Sequence, residues 1–230
     1  MIEYLTRGTE LSTSGTTGRP KKIFQDPYKI KHSNFIARKV QNITKNSRIL
    51  TVCSLKHAGG LLAQTLPAYE IGASVTIEPY NPYSWVSKIG CYTHSHLTPR
   101  MAEAIIRTKS FRKLDLTGIT IMCGSDPVHE YEINCFLEQG ATFIANWGMT
   151  EIGPVAINKT FQPGDVAENY IDQKYTSEYT ILGDTFHCDY KIVNNELLVK
   201  GAICVYPEWF ATGDLVHEEA GTLYYIGRKD

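Results

Sequence analysis

The sequence carries no excess of charge of either sign. Its 23 Lys and Arg residues nearly balance its 24 Asp and Glu residues, which gives a formal net charge of −1 at pH 7. Proteins that bind nucleic acid generally present a basic face. No stripe of basic residues interleaved with aromatic ones occurs along this chain. The composition therefore predicts no nucleic-acid partner.

Long apolar runs are also missing. No run approaches the roughly 20 residues that a helix needs to span a bilayer. Segment 1–7 does not show the basic region followed by an apolar region that marks a signal peptide. The six cysteines are scattered without a Cys-x-x-Cys pair, and several lie inside apolar runs. Buried free thiols of this kind are usual in a reducing compartment, so we predict a cytoplasmic protein with no membrane partner.

What the chain does contain is a globular composition, with 43% hydrophobic and 20% charged residues among 230. Short apolar runs alternate with segments of helical periodicity along the N-terminal part. This alternation predicts an α/β subdomain over residues 1–160, with a parallel-type sheet flanked by helices. Over residues 161–230, turn signals separate short runs and helical periodicity ends. That pattern predicts a smaller antiparallel subdomain, β-barrel-like or sandwich-like.

Three predicted strands of the first subdomain end just before turns, at His57, Gly124 and Trp147. Ligands of parallel α/β sheets bind beyond the carboxyl ends of the strands. These three turns are therefore expected to lie together at one edge of the sheet.

The run Cys91–Leu97 alternates and is predicted to be a strand, with His94 and His96 on one face and Cys91 on the other. Histidine and cysteine are common zinc ligands. Because the thiol points away from both imidazoles, we favour a half-buried strand face over a metal site.

The segment Leu11–Lys22 combines hydroxyls, glycines and basic residues within a short span. Glycine frees backbone N–H groups to bind phosphate, and nearby hydroxyl and ammonium donors add to this. The spacing of a Walker loop and the Gly-x-Gly-x-x-Gly dinucleotide fingerprint are both absent from it. The residues alone predict phosphate binding, with a flexible surface loop as the alternative.

Four segments in this order together resemble the adenylate-forming superfamily of acyl-CoA synthetases, non-ribosomal adenylation domains and luciferases. They are Thr13-Ser-Gly-Thr-Thr-Gly-Arg-Pro-Lys21, Trp147-Gly-Met-Thr-Glu151, Ala211-Thr-Gly-Asp214 and Gly227-Arg-Lys-Asp230. The resemblance implies the family's reaction, in which a small carboxylic acid attacks the α-phosphate of ATP in the presence of Mg²⁺. The products are an acyl-adenylate and pyrophosphate. Coenzyme A, a carrier protein, an amine or no acceptor at all remain open for the next step.

The resemblance assigns the phosphates of ATP to the first two segments. It implies that Thr150 contacts the α-phosphate and that Glu151 binds Mg²⁺. Lys21 and the hydroxyl-rich loop would hold the β- and γ-phosphates, the loop residues being Thr13, Ser14, Gly15, Thr16, Thr17 and Gly18. The implied catalytic residues are therefore Lys21, Thr150 and Glu151, and Glu151 is the implied metal ligand.

The resemblance also implies how adenosine and the acid are held. Trp147, in the family's usual tyrosine position, would pack on adenine; Asp214 would accept both ribose hydroxyls, and Arg228 would reach ribose or phosphate. Further residues implied at the nucleotide site are Gly124, Ser125, Asn146, Gly148 and Met149. The residues predicted to line the acid pocket are His57, Asn146 and Met149, and they do not separate aryl from aliphatic acids.

Two hypotheses of function follow. The first is an ATP-dependent enzyme that activates a carboxylic acid. The second is an ATP- or AMP-binding module that needs a partner. It follows from the expectation that, relative to the family, the chain lacks the N-terminal third and the small C-terminal domain. A sheet face left open in this way predicts a homodimer or a covering partner protein.

Overall fold

The computed structural model describes residues 1–13, 21–172 and 177–229. The strands in these ranges form two large sheets and one separate antiparallel hairpin. The hairpin consists of β1 (Thr9–Ser12) and β2 (Lys22–Gln25), and it pairs Ser12 with Lys22.

The larger sheet contains seven strands. They are β3 (Arg48–Thr51), β4 (Ser74–Ile77), β5 (His94–Leu97), β6 (Thr120–Gly124), β7 (Thr142–Met149), β8 (Gly153–Phe161) and β11 (Thr185–Phe186). Their order across the sheet is β11-β8-β7-β6-β5-β3-β4. Strands β3 to β7 run parallel, whereas β8 and β11 are antiparallel to their neighbours. The carboxyl ends of the parallel strands therefore share one edge.

Helices pack on both faces of this sheet because its central strands are apolar on both faces. Ile121 and Phe143 belong to the apolar cluster that includes Trp85, Ile105 and Phe136 of the helices on one face. Their chain neighbours Met122 and Ile144 belong to the cluster on the other face. The helices are α1 (Ile2–Arg7), α2 (Pro27–Gln41), α3 (Ala58–Gly60), α4 (Leu66–Glu70), α5 (Pro82–Lys88), α6 (Pro99–Ile106) and α7 (Glu130–Glu138).

Side-chain caps define where three of these helices begin. Asp26 accepts the backbone N–H groups of Tyr28 and Lys29 before α2. Asn81 caps α5, and Thr98 caps α6. Each of the three helices starts with proline, which lacks the N–H that a first turn leaves unpaired.

The second sheet has six strands. They are β9 (Tyr170–Asp172), β10 (Ser177–Gly183), β12 (Asp189–Val193), β13 (Glu196–Lys200), β14 (Phe210–Glu219) and β15 (Thr222–Arg228). All described neighbours in it are antiparallel, in the order β12-β13-β14-β15-β10-β9. Leu197 and Leu223 from this sheet share an apolar cluster with Ile144 and Ile157 from the larger one. This packing brings β10, β14 and β15 close to the end of β7.

The predicted fold class, a mixed α/β structure followed by a smaller antiparallel sheet, is confirmed. The subdomain boundary near residue 160 stays a prediction, and residues 185–186 return to pair with the larger sheet. The predicted strand Cys91–Leu97 is too long, because residues 89–91 form a 3₁₀ turn and only His94–Leu97 is strand. None of the helices in the described ranges is both long enough and apolar enough to cross a bilayer.

Candidate active site

A cavity of about 790 Å³ lies where the carboxyl ends of the parallel strands meet the second sheet. Segments after β3, β6 and β7 all contribute to its lining, as the turns at the strand ends predict. The second sheet adds residues from β10, β14 and β15. The predicted site residues in this lining are Thr13, Lys21, His57, Ser125, Asn146, Trp147, Gly148, Met149, Thr150, Glu151, Asp214 and Arg228.

Thr13 and Lys21 bring the described end of the hydroxyl-rich segment to the cavity. The Thr13 N–H donates to the Lys21 carbonyl at 2.9 Å, and the Lys21 N–H donates to Thr13 Oγ1 at 3.1 Å. His57 Nδ1 lies 3.3 Å from the Ser12 carbonyl oxygen, which ties the turn after β3 to the same hairpin. The predicted phosphate-loop residues Ser14, Gly15, Thr16, Thr17 and Gly18 lie outside the described residues.

Two neighbouring side chains hold the Asp214 carboxylate in the cavity wall. Asp214 is 4% exposed, and its Oδ2 accepts the Trp147 indole N–H at 2.9 Å. Its Oδ1 accepts from Arg228 at 3.0 Å, and Arg228 also donates to the Thr212 carbonyl. Burial raises the pKa of Asp214, and the Trp147 and Arg228 contacts act against that rise. The result is a fixed carboxylate beside an aromatic ring.

The contact between Trp147 and Asp214 joins residues far apart in sequence. The resemblance assigns the two side chains to different parts of adenosine and gives no hint that they touch. The structure places Trp147, Gly148 and Met149 inside β7, which is longer than the predicted strand. These three residues therefore belong to the end of a strand rather than to a loose turn.

Thr150 and Glu151 form the tight connection between β7 and β8. The Thr150 carbonyl accepts from Gln25 Nε2 at 2.9 Å, and the Glu151 carbonyl accepts the Val205 N–H at 3.0 Å. Both residues are partly exposed towards the cavity. The Glu151 carboxylate makes no hydrogen bond or ion pair within 4 Å to any described side chain, so it fits the role of a cation ligand.

Two glycines allow the strands to meet closely here. A Cβ on Gly148 would lie 2.2 Å from the Gly153 carbonyl oxygen, and one on Gly124 would lie 2.3 Å from that of Asn146. Gly124 is buried beneath the cavity rather than part of its lining. The Asn146 side-chain amide donates to the Pro154 carbonyl at 2.6 Å, which gives a further contact between β7 and β8.

His96 also lines the cavity and is not among the predicted site residues. It is 5% exposed, and its Nδ1 is buried without a hydrogen-bond partner among the described residues. Burial lowers its pKa to about 4, so the imidazole is neutral at pH 7. Its position in the sequence could have indicated this, because His96 lies near the carboxyl end of a predicted strand, and ligands of parallel sheets bind beyond these ends.

The predicted half-buried strand face is wrong, because all four residues of β5 are buried, including His94. Its Nδ1 lies 2.7 Å from Thr93 Oγ1, and its Nε2 lies 2.9 Å from the Gln41 carbonyl oxygen. Both nitrogens are therefore engaged within the protein. Within residues 1–13, 21–172 and 177–229, no group of three potential His, Cys, Asp or Glu metal ligands is found.

Ser125 has a backbone φ of 82°, the left-handed region that non-glycine residues seldom adopt. It is exposed in the cavity lining directly after β6. Strained residues of this kind cluster at binding and active sites.

Solved structures share this fold. The Bacillus subtilis O-succinylbenzoate coenzyme A synthetase, in complex with ATP and magnesium, superposes with a TM-score of 0.77 at 22% identity, covering 97% of this chain and 50% of that one. An anthranilate CoA ligase in complex with anthranoyl-AMP superposes with a TM-score of 0.80 at 19% identity, covering 95% and 46%. The fold is thus that of the adenylate-forming enzymes.

The chain belongs to the AMP-binding enzyme family, whose model matches residues 11–213. It is 28% identical over 239 residues to the indoleacetate–CoA ligase of Aromatoleum aromaticum, covering 94% of this chain and 46% of that protein. It is 29% identical over 151 residues to a feruloyl-CoA synthase of an Amycolatopsis species, covering 62% and 30%. The chain therefore spans less than half the length of these curated relatives.

Proposed function

We propose that the chain activates a carboxylic acid by adenylation with ATP. The observation that carries this proposal is a single cavity in which the carboxylates of Glu151 and Asp214 lie in different environments. Glu151 is partly exposed and unpaired among the described residues, which suits a cation. Asp214 is buried and fixed by Trp147 and Arg228, which suits a ligand with two hydroxyl groups beside an aromatic base. Membership of the AMP-binding family supports the same assignment.

In the proposed reaction a carboxylate oxygen of the acid attacks the α-phosphorus of ATP. A new acyl–oxygen–phosphorus linkage forms, and the bond from the α-phosphorus to the bridging oxygen breaks, with its electron pair leaving on pyrophosphate. No proton needs to be moved, so the chain contributes positioning and charge stabilisation. Asp214 and Trp147 would orient ribose and adenine, and the Thr150 hydroxyl would donate to the α-phosphate. Mg²⁺ held by Glu151 would supply positive charge to the phosphate oxygens.

We propose an aromatic acid as the substrate. The names of the two curated relatives above contain indoleacetate and ferulate, which are both aromatic carboxylates. In this chain, Cys53, Gly59, Met101 and Val128 give part of the cavity small and apolar walls that suit a ring. Coenzyme A is the acceptor that we propose for the second half-reaction, since both relatives are named for CoA thioester formation.

A second candidate function is a module that binds Mg-ATP but needs another polypeptide for the reaction. The observation that favours it is the coverage, since the matched residues make up 46% of the indoleacetate–CoA ligase. In catalysis of this type a single missing charge-stabilising group costs about 10²–10³ in rate.

Pyrophosphate exchange with a panel of acids separates the two candidates. Indoleacetate, ferulate, benzoate and hexanoate test aromatic against aliphatic acids, each with and without Mg²⁺. D214A is expected to lower exchange by about 10²-fold. The matched variant D115A changes an exposed aspartate outside the cavity and should keep wild-type exchange. Mg-ATP binding by calorimetry without exchange with any acid would reject the enzyme and support the module.

The homodimer or covering partner stays a prediction. Exposed aromatic side chains on β2 and α2 support it, with Phe24 53%, Tyr28 76% and Phe35 57% exposed. Sedimentation velocity at micromolar concentration tests it, because a single monomeric species would reject self-association.

A further inference from the structure

Lys29 is a buried lysine that the proposed chemistry does not use. It lies in the first turn of α2 and is 2% exposed. No carboxylate of a described residue lies within 4 Å of its ammonium group, because the Asp26 carboxylate caps the helix instead. Burial lowers the pKa of Lys29 to about 8, while Cys204, Asp26 and Glu151 act to raise it. Burying an ammonium group without an ion-pair partner costs stability, so packing alone does not account for a lysine here.

Among the described residues this ammonium has one hydrogen-bond partner, Gln25, whose side chain is itself fully buried at the end of β2. Lys29 Nζ donates to Gln25 Oε1 at 2.5 Å, and Gln25 Nε2 donates to the Thr150 carbonyl at 2.9 Å. Both ends of the amide are used. A flipped amide would direct its NH₂ group at the ammonium and its oxygen at a carbonyl, which is unfavourable at both ends. The charge on Lys29 therefore fixes which end of Gln25 faces Thr150.

The carbonyl that receives this hydrogen bond lies in the turn that carries Thr150 and Glu151. The turn has a second external contact, from the Val205 N–H to the Glu151 carbonyl. Contacts through the two carbonyls leave the Thr150 and Glu151 side chains available to the cavity. A group that sets the position of the Thr150 carbonyl also sets the direction of the Thr150 hydroxyl and of the Glu151 carboxylate.

We propose that Lys29 and Gln25 form a buried relay that positions the Thr150–Glu151 turn for reaction at the α-phosphate. The proposal rests on the proposed function, since it assigns these residues to the adenylation step. Neither residue touches the substrate in this assignment, so both are positioning residues. The relay links the hairpin, next to which Thr13 and Lys21 lie, to the Thr150–Glu151 turn.

Two variants break the relay at different points. K29M removes the ammonium group at nearly constant volume and frees the Gln25 amide to flip. Q25E keeps an acceptor for Lys29, with a stronger charge-assisted contact, but a carboxylate cannot donate to the Thr150 carbonyl. Because an oxygen then faces the Thr150 carbonyl, a purely structural role predicts that Q25E lowers the urea midpoint without changing kcat, whereas the relay predicts a lower kcat in both variants. The matched control is R38M, which removes a positive charge from the same helix, where Arg38 pairs with Glu70 away from the cavity.

The expected result is a fall in kcat for adenylation of about 10-fold to 100-fold in K29M and Q25E, with a smaller change in KM for ATP. R38M should keep wild-type kcat, and the kcat of Q25E should be low even under conditions where urea unfolding shows the variant to be fully folded. Hydrogen exchange gives a second readout that needs no activity. The Ile152 amide, which donates to the Met149 carbonyl within the turn, should exchange faster in K29M and Q25E than in R38M.

The outcomes separate the relay from the proposed function. Wild-type protein without pyrophosphate exchange would reject the function, and the exchange rate of the Ile152 amide would then decide the relay alone. Wild-type kcat in Q25E, or Ile152 exchange in both variants equal to that of R38M, would overturn the relay. Loss of folding in K29M leaves the decision to Q25E, whose contact with Lys29 is retained.

Discussion

Replacing Gly148 by alanine tests whether the close approach of β7 and β8 is what places the Thr150–Glu151 turn. The added Cβ would lie 2.2 Å from the Gly153 carbonyl oxygen and 2.6 Å from the Pro154 carbonyl carbon. Ordinary contact begins at 3.4 Å, so one side of the connection must move by about 1.2 Å. The obstructing atoms belong to the backbone, and rotation of a side chain cannot relieve the clash.

The magnitude follows from this displacement. Overpacking of this kind costs about 1–3 kcal/mol of unfolding free energy. A shift of about 1 Å in a catalytic group costs about 10²-fold in rate. We therefore expect G148A to lower the urea midpoint modestly and pyrophosphate exchange by about 10²-fold. Mg-ATP affinity should weaken as well, because Trp147 and Met149 flank the altered residue.

The assays are urea unfolding, calorimetric titration with Mg-ATP and pyrophosphate exchange, with G90A as the matched control. A Cβ on Gly90 would meet nothing within 4 Å, so this second glycine-to-alanine change should be neutral in all three assays. Wild-type exchange and an unchanged urea midpoint in G148A would refute the reasoning. They would mean that the connection relaxes without moving the turn.

Three further predictions follow from the cavity. W147F removes the donor to Asp214, so the pKa of Asp214 should rise further and Mg-ATP should bind about 10-fold more weakly. Calorimetry measures this affinity, and W209F, at a tryptophan outside the cavity lining, is the control. Wild-type protein should prefer ATP over 2′-deoxy-ATP, and D214A should abolish that preference; an equal preference in both proteins would remove the ribose role of Asp214. His96 has a folded pKa of about 4, below the ordinary 6.5, so its stabilising effect is present above pH 6.5 and is lost as pH falls towards 4. The effect amounts to roughly 3 kcal/mol, and H96L should lack this part of the pH dependence in urea unfolding.

The sequence was sufficient for the order of the elements and for the edge where the site lies. The turns after predicted strands, at His57, Gly124 and Trp147, were expected at one edge. His57 and Trp147 line the cavity, and Gly124 is buried directly before the lining residue Ser125. The alternation in Cys91–Leu97 was misleading, because a central strand with helices on both faces is buried on both faces and does not need polar alternation. His94 and His96 are both buried.

Contacts between the two sheets could not be predicted from sequence. The hydrogen bond from Trp147 to Asp214 joins residues 67 positions apart. It depends on which strand of the second sheet packs beside β7. The position of Gly148 could not be predicted either, because a glycine followed by Met-Thr-Glu indicates a turn. The structure shows that it lies inside a strand, where the absence of a side chain permits close backbone approach.

Several groups that cost stability lie around this one cavity. Among the described residues, the buried charged side chains are Lys29, Glu132 and Asp214, with exposures of 2%, 8% and 4%. Asp214 lines the cavity, and Lys29 reaches its turn through Gln25. Ser125, with its strained backbone, faces the same space. A fold selected only for stability would replace such groups by apolar residues of similar size, since that change is often neutral or stabilising. Lys29, Asp214 and Ser125 all lie around one cavity. A polar ligand that contacts the Asp214 carboxylate and the Thr150–Glu151 turn explains this better than packing does.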